Sequence, residues 1–170
     1  FNEYRKESLA RRQGKKINNI LINFGGGDPD NYIAKSLSAL LDAKIPEDIM
    51  ISIIFGGLSV VRQEHKELMS KFSNEIKSYG FVRNIAEMLT DSDLVIGAAG
   101  SSAWERCCLG VPSIVFPVAL NQLPIAVNLA DCGASIALCD QDLMNGKLGL
   151  LVTDLLHSEE LIKMSKMAAN

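Results

Sequence analysis

Gly97-Ala98-Ala99-Gly100-Ser101-Ser102-Ala103-Trp104-Glu105-Arg106 sets a turn of small residues between an apolar run and a helical stretch, with one carboxylate a turn into that stretch. Glycine and alanine let backbone amides come close to a ligand, and a helix starting there presents N–H groups that have no intrahelical partner. That is anion-binding chemistry. Gly100, Ser101 and Ser102 are the candidates to hold phosphate, and Glu105 is an acceptor for hydroxyls such as a ribose diol. Together they read as a nucleotide or nucleotide-sugar site. A turn that only packs a strand against a helix uses the same small residues, so other segments have to decide.

Two further segments carry polar chemistry. Gly25-Gly26-Gly27-Asp28-Pro29-Asp30-Asn31 follows an apolar run; its glycines permit backbone approach, and Asp30 or Asn31 can cap the next helix. Asn121-Gln122 offers two neutral amides for sugar hydroxyls, amides or phosphate, or else an N-cap followed by an exposed glutamine. Other motifs are missing. Gly25-Gly26-Gly27 lacks the later glycine of G-x-G-x-x-G, no G-x-x-x-x-G-K-[ST] occurs, and Gly100-Ser101-Ser102 has no second glycine to make a nucleophile elbow. Trp104, flanked by Ala103 and Glu105 within the helical stretch, reads as a packing residue rather than a base-stacking platform.

The elements that must position these residues alternate along the chain. Ile20–Phe24, Ile49–Phe55, Leu94–Ile96 and Ser113–Val118 are short β-branched runs closed by loops, and Ile76–Val82 and Ser135–Leu138 are weaker strands. Apolar residues recur at helical spacing in Tyr32–Ala43, Val60–Ser73, Ile85–Leu89, Ser102–Leu109 and Leu123–Cys132. Beyond Asp140 the pattern reads as two amphipathic helices with His157-Ser158 between them. Strands alternating with helices predict an α/β, Rossmann-like, doubly wound parallel sheet of about six strands. Ligands of such sheets gather outside the carboxyl ends of the strands, where all these loops belong.

Composition bounds the rest. The 170 residues, 48% apolar and 22% charged, suffice for one globular core. No apolar run is long enough to span a membrane and no charged start precedes an apolar stretch, so a cytoplasmic protein is expected. Residues 1–16 carry six Lys/Arg against two Glu, while the remainder is acidic enough to bring the chain to −3. With no basic stripe over the domain, nucleic acid is not an expected partner, and the basic start reads as a solvated helix or linker. Cys107, Cys108, Cys132 and Cys139 have no C-x-x-C spacing, and His65 and His157 are not near them in sequence. Reduced, mostly buried thiols and no metal are therefore expected.

The string from Gly97 through Trp104-Glu105-Arg106-Cys107-Cys108-Leu109-Gly110-Val111-Pro112, followed by Asn121-Gln122, resembles the UDP-sugar hydrolases of pseudaminic acid biosynthesis and the related spore-coat polysaccharide proteins. More distantly it resembles the C-terminal domain of the N-acetylglucosaminyltransferase that makes lipid II. The resemblance implies the C-terminal half of a glycosyltransferase B-type fold, two facing Rossmann-like domains. Residues 1–16 would then be an interdomain linker or helix and residues 17–170 the UDP-sugar-binding domain, with the N-terminal domain and its catalytic histidine absent from this chain.

Carried over residue by residue, Glu105 would bind the ribose hydroxyls and Gly100, Ser101 and Ser102 the diphosphate. Phe81-Val82 would recognise uracil through its backbone, Gly25-Gly26 would border the diphosphate and sugar, and Asn121-Gln122 would face the sugar. The implied activity is release of UDP from a diacetamido-trideoxy hexose by water, with no metal or cofactor; His65 and His157 match no catalytic position of the family and are expected on the surface. Two alternatives stay open: the donor domain of a transferase, and a non-catalytic nucleotide-sugar sensor.

Overall fold

A computed structural model describes residues 1–13, 16–57 and 60–170. Six strands form one parallel sheet: β1 (Asn19–Asn23), β2 (Met50–Ile54), β3 (Ile76–Tyr79), β4 (Leu94–Ala98), β5 (Ser113–Phe116) and β6 (Ser135–Ala137). Their spatial order is β3-β2-β1-β4-β5-β6. This is the doubly wound arrangement expected from the alternating pattern, with its switch point between β1 and β4. Register pairs Asn23 with both Ile54 of β2 and Gly97 of β4, so the central strands end level with one another.

The four central strands are mostly apolar and buried because both sheet faces are covered there, whereas the edge strand β3 carries exposed Lys77 and Ser78. Ile20, Ile22, Ile51, Ile53, Leu94 and Ile96 join one core with Ile33, Leu37 and Leu40 of α2 (Tyr32–Asp42). Leu148, Val152 and Leu155 of α8 (Lys147–Leu156) complete that side. Leu21, Ile54 and Val95 point the other way, onto Ala86 and Leu89 of α4 (Ile85–Thr90) and onto Leu109 and Val111. Each fully buried Ile or Leu contributes about 1.5–3 kcal/mol from removing its surface from water. The remaining helices are α1 (Asn2–Arg11), α3 (Gln63–Met69), α5 (Ser102–Cys108), α6 (Leu123–Asp131), α7 (Asp140–Met144) and α9 (Glu160–Ala169).

Several sequence expectations are corrected. The helix expected over Val60–Ser73 is only α3, because Arg62 is extended and its N–H is accepted by the His65 ring, which starts the helix at Gln63; Ser59 and Leu58 lie outside the described residues. The strand expected over Ile76–Val82 ends at Tyr79, leaving Phe81-Val82 in the following loop. The two helices expected after Asp140 are three: Asp142 caps Cys139 to start α7, and Asn145-Gly146 separates it from α8. The thiols are not mostly buried; Cys107 and Cys108 are half-buried, and Cys132 and Cys139 are exposed.

The basic start is a helix, but not a solvated one. Ser8 and Arg12 are buried, and Ser8 donates to the Leu109 carbonyl at 2.7 Å. Arg12 donates to the carbonyls of Leu89, Ser92 and Ser8, each at 2.7 Å. Burial pushes its guanidinium down to about 10, which leaves it charged at neutral pH. Charge-assisted bonds of this kind are worth roughly 1.5–3 kcal/mol, so the helix is clamped across the carboxyl end of α4 rather than draped over it. Arg5 adds bonds to the carbonyls of Cys108 and Ala169.

Candidate functional site

Loops leaving β1, β2, β3 and β4 surround a cavity of about 430 Å³ beside the switch point. Its wall consists of Asn23, Gly25, Gly26, Ile54, Gly56, Gly57, Phe81, Val82, Ile85, Ser102 and Glu105. Six of the ten residues singled out from sequence, namely Gly25, Gly26, Phe81, Val82, Ser102 and Glu105, therefore meet at one place. A larger groove of about 580 Å³ runs between α2 and the α7 and α8 helices, lined by residues such as Lys35, Asp42, Met144 and Leu150. It lies on helix flanks, away from the strand ends where doubly wound sheets bind ligands, so the smaller cavity is the candidate site.

Close backbone approach shapes the floor of this cavity. A Cβ on Gly56, whose φ is +78°, would lie 2.4 Å from the Gly25 carbonyl oxygen, so the loops after β1 and β2 touch backbone to backbone. Ser102 and Glu105 lie three residues apart on α5 and so share one helix face. Among the described residues the Glu105 carboxylate has no hydrogen-bond or ion-pair partner, leaving all its acceptor capacity for a ligand. Phe81, 75% exposed, stands at the rim.

The other four candidates lie outside the wall. Gly100 sits beneath Gln122, whose Nε2 is 3.2 Å from where a Gly100 Cβ would be. Gln122 is neither exposed nor an N-cap acceptor; its Oε1 accepts the Val118 N–H at 3.1 Å. Asn121 is exposed in a short turn of 3-10 helix, and Ser101 is exposed at the start of α5. Trp104 is 56% exposed, which corrects its reading as a packing residue.

Sequence reasoning missed Asn23, Gly56, Gly57 and Arg106. The Gly56-Gly57 pair closing an apolar run was the available signal for the second loop, whereas nothing local marks Arg106 as buried. Its side chain is only 1% exposed. Nη2 donates to the Ala98 carbonyl at 2.7 Å and Nη1 to Ser102 Oγ at 3.1 Å.

The loop after β1 is tied down by a histidine expected on the surface. His65 is 1% exposed, packed against Phe55 with ring centroids 5.0 Å apart. Its Nδ1 accepts the Arg62 N–H, so Nε2 carries the proton and faces Asn31 Oδ1 at 2.9 Å. Asn31 in turn donates to Glu64 at 2.6 Å, and Asp28 lies 3.9 Å from Nε2. Neither Asp30 nor Asn31 caps α2; Asp28 does, accepting the Ile33 N–H at 3.1 Å. His157 is exposed, as expected.

Burial lowers the His65 pKa from 6.5, against the pull of Asp28, and raises that of Asp28 from 3.8. Between its folded value and 6.5, His65 binds more protons in the unfolded chain, so its contribution is complete above 6.5 and is lost as pH falls through the folded value. Asp28 acts with the opposite sign, its contribution complete below 3.8 and lost as pH rises through its raised value. Urea unfolding should therefore show the wild type losing stability from about pH 7.5 to about pH 5.5, with the slope flattened in His65→Gln. Equal slopes would place the acid sensitivity elsewhere.

Residues 19–170 match the glycosyltransferase family 28 C-terminal domain. The chain belongs to this family. It is 29% identical over 127 residues to the spore coat polysaccharide biosynthesis protein SpsG of Bacillus subtilis, covering 73% of this chain and 36% of that protein. It is 29% identical over 179 residues to the UDP-N-acetylglucosamine–N-acetylmuramyl-(pentapeptide) pyrophosphoryl-undecaprenol N-acetylglucosamine transferase of Clostridioides difficile, covering 95% of this chain and 42% of the transferase. The crystal structure of Acinetobacter baumannii MurG superposes with a TM-score of 0.73 at 24% identity, over 96% of this chain and 48% of that one. The family 28 chain described here thus spans less than half the length of each of these proteins. The sheet and its flanking helices are those of glycosyltransferase B-type C-terminal domains, and no helix among the described residues is long and apolar enough to cross a membrane.

Proposed function

We propose that this family 28 domain holds the UDP moiety of a sugar nucleotide in the cavity between the β1 and β4 loops. The observation that carries the reading is the meeting of Glu105, Ser102, Gly25, Gly26, Phe81 and Val82 around a single cavity at the switch point. Glu105 takes the ribose hydroxyls, since among the described residues it is the one carboxylate on the wall and has no hydrogen-bond or ion-pair partner. The backbone around Phe81-Val82 reads the uracil edge at the rim. Gly100, Ser101 and Ser102 take the diphosphate, with Gly25-Gly26 bordering diphosphate and sugar, and Asn121-Gln122 faces the sugar.

In the whole protein the bond between sugar and diphosphate breaks, and negative charge gathers on the departing UDP. Fixed donors around the Gly97–Ser102 loop lower the cost of that charge because they are oriented before the reaction begins. Water as the acceptor, giving a UDP-sugar hydrolase, is the reading favoured by the Trp104-Glu105-Arg106-Cys107-Cys108-Leu109-Gly110 block. Transfer to a second sugar is the competing reading, favoured by the family match and by the named activity of the Clostridioides difficile relative. The catalytic base and the acceptor site are assigned to a facing N-terminal domain, and this chain alone is expected to bind UDP without turning over a UDP-sugar. Amide chemical-shift mapping with UDP tests the placement. Shifts should concentrate at Gly25, Gly26, Val82, Ser102 and Glu105; shifts confined to the groove beside Met144 and Leu150 would overturn it.

A further inference from the structure

The cavity wall has one charged residue, and its charge has the wrong sign for a diphosphate. Glu105 is a carboxylate, and among the described residues no Lys or Arg lines the wall. A buried cation is hydrogen-bonded to Ser102 of the wall. Arg106 is the largest of the fully buried side chains, its Nε has no hydrogen-bond partner, and no carboxylate forms an ion pair with it among the described residues. A buried cation with no direct ion pair, favoured only through space by the Glu105 charge, is costly to keep, and such a charge persists where something else gains from it. Burial lowers its pKa to about 10, which still leaves it protonated at neutral pH.

The geometry points to Arg106 as a positioning residue that delivers positive charge to a bound diphosphate through the Ser102 hydroxyl. Nη1 donates to Ser102 Oγ at 3.1 Å, so that oxygen is occupied as an acceptor and its own proton is free to be donated into the cavity. Nη2 holds the Ala98 carbonyl at 2.7 Å and so fixes the start of the loop that carries Gly100 and Ser101. The guanidinium packs against Gly97, with Nη1 3.6 Å from where a Cβ would stand, an ordinary contact distance. The chain of donors runs from guanidinium to hydroxyl to phosphate oxygen. Each bond polarises the next, and the site attracts an anion while exposing no cation to solvent.

This inference rests on the reading of the cavity as a UDP site, and the test separates the two. Calorimetric titration of the 170-residue chain with UDP and with uridine isolates the contribution of the phosphates. In the wild type, UDP is expected to bind far more tightly than uridine. Ser102→Ala and Arg106→Gln should each lower UDP affinity about tenfold or more while leaving uridine affinity unchanged, and the double variant should be no weaker than the worse single one. Arg106→Lys, which keeps the charge, should recover part of the loss. Should Arg106→Gln fail to fold, Ser102→Ala carries the test, because Ser102 is not part of the core. Unchanged UDP affinity in Ser102→Ala, or equal losses for UDP and uridine, would overturn the relay while leaving the UDP site standing. A wild type that binds neither ligand would overturn the UDP reading and the relay with it.

Discussion

Gly97→Ala is expected to destabilise the domain by about 3 kcal/mol or more, at the upper end of what overpacking a closed site costs. A Cβ there would lie 2.2 Å from the Asn23 carbonyl oxygen, which belongs to the backbone of the neighbouring central strand. No rotamer relieves that contact, because Cβ is fixed by the backbone and β1 is held on its other side by β2. Relief requires the carboxyl ends of β1 and β4 to part, where the cavity lies. Typical domains have only about 5–15 kcal/mol of stability to lose, so the variant should unfold at markedly lower urea concentration and lose ligand binding with it. An unfolding free energy within about 0.5 kcal/mol of wild type would mean that the β1 and β4 ends are not packed as closely as described.

Glu105→Ala should instead leave stability almost untouched and lower UDP affinity by about 10- to 100-fold, equivalent to ~1.5–3 kcal/mol for losing a charged acceptor. The difference from Gly97 follows from contacts. The Glu105 carboxylate lines the cavity and bonds to no protein group among the described residues, so nothing in the fold depends on it. A second ligand sharpens the expectation. Deoxy-UDP lacks one ribose hydroxyl, so wild type should bind it more weakly than UDP, whereas Glu105→Ala should hardly distinguish the two. If Glu105→Ala keeps the wild-type preference for the ribose form, the carboxylate does not hold the ribose.

The sheet was legible because its signal is local. Ile20-Leu21-Ile22 and Ile51-Ser52-Ile53-Ile54 are short apolar runs closed by glycine, and a strand buried on both faces needs nothing else. Ser102 and Glu105, which meet at the cavity, carry a local mark of the same kind, small residues and a carboxylate at fixed offsets from one strand end, whereas Gly100 and Ser101 share that mark and lie outside the wall. Burial of individual polar residues was not local. His65 stands in Gln63-Glu64-His65-Lys66-Glu67, a string that reads as exposed, and its burial comes from Asn31, Asp28 and Phe55, which belong to two other loops. Arg106 has helical neighbours of mixed character, and its burial comes with hydrogen bonds to the Ala98 carbonyl and to Ser102, which no residue type in the helix announces. The docked α1 repeats the lesson. Its composition is that of a solvated helix, yet Ser8 and Arg12 find carbonyl partners on Leu109, Leu89 and Ser92 that no periodicity in residues 1–16 announces.

Calorimetric titration of the chain with UDP, against ADP, GDP and UMP, tests the central assignment most directly. Selective binding of UDP, tighter than UMP and clearly preferred over both purine diphosphates, is the predicted result. Equal binding of all three diphosphates would contradict recognition of uracil at Phe81-Val82, and no binding of any of them would contradict the cavity as a nucleotide site.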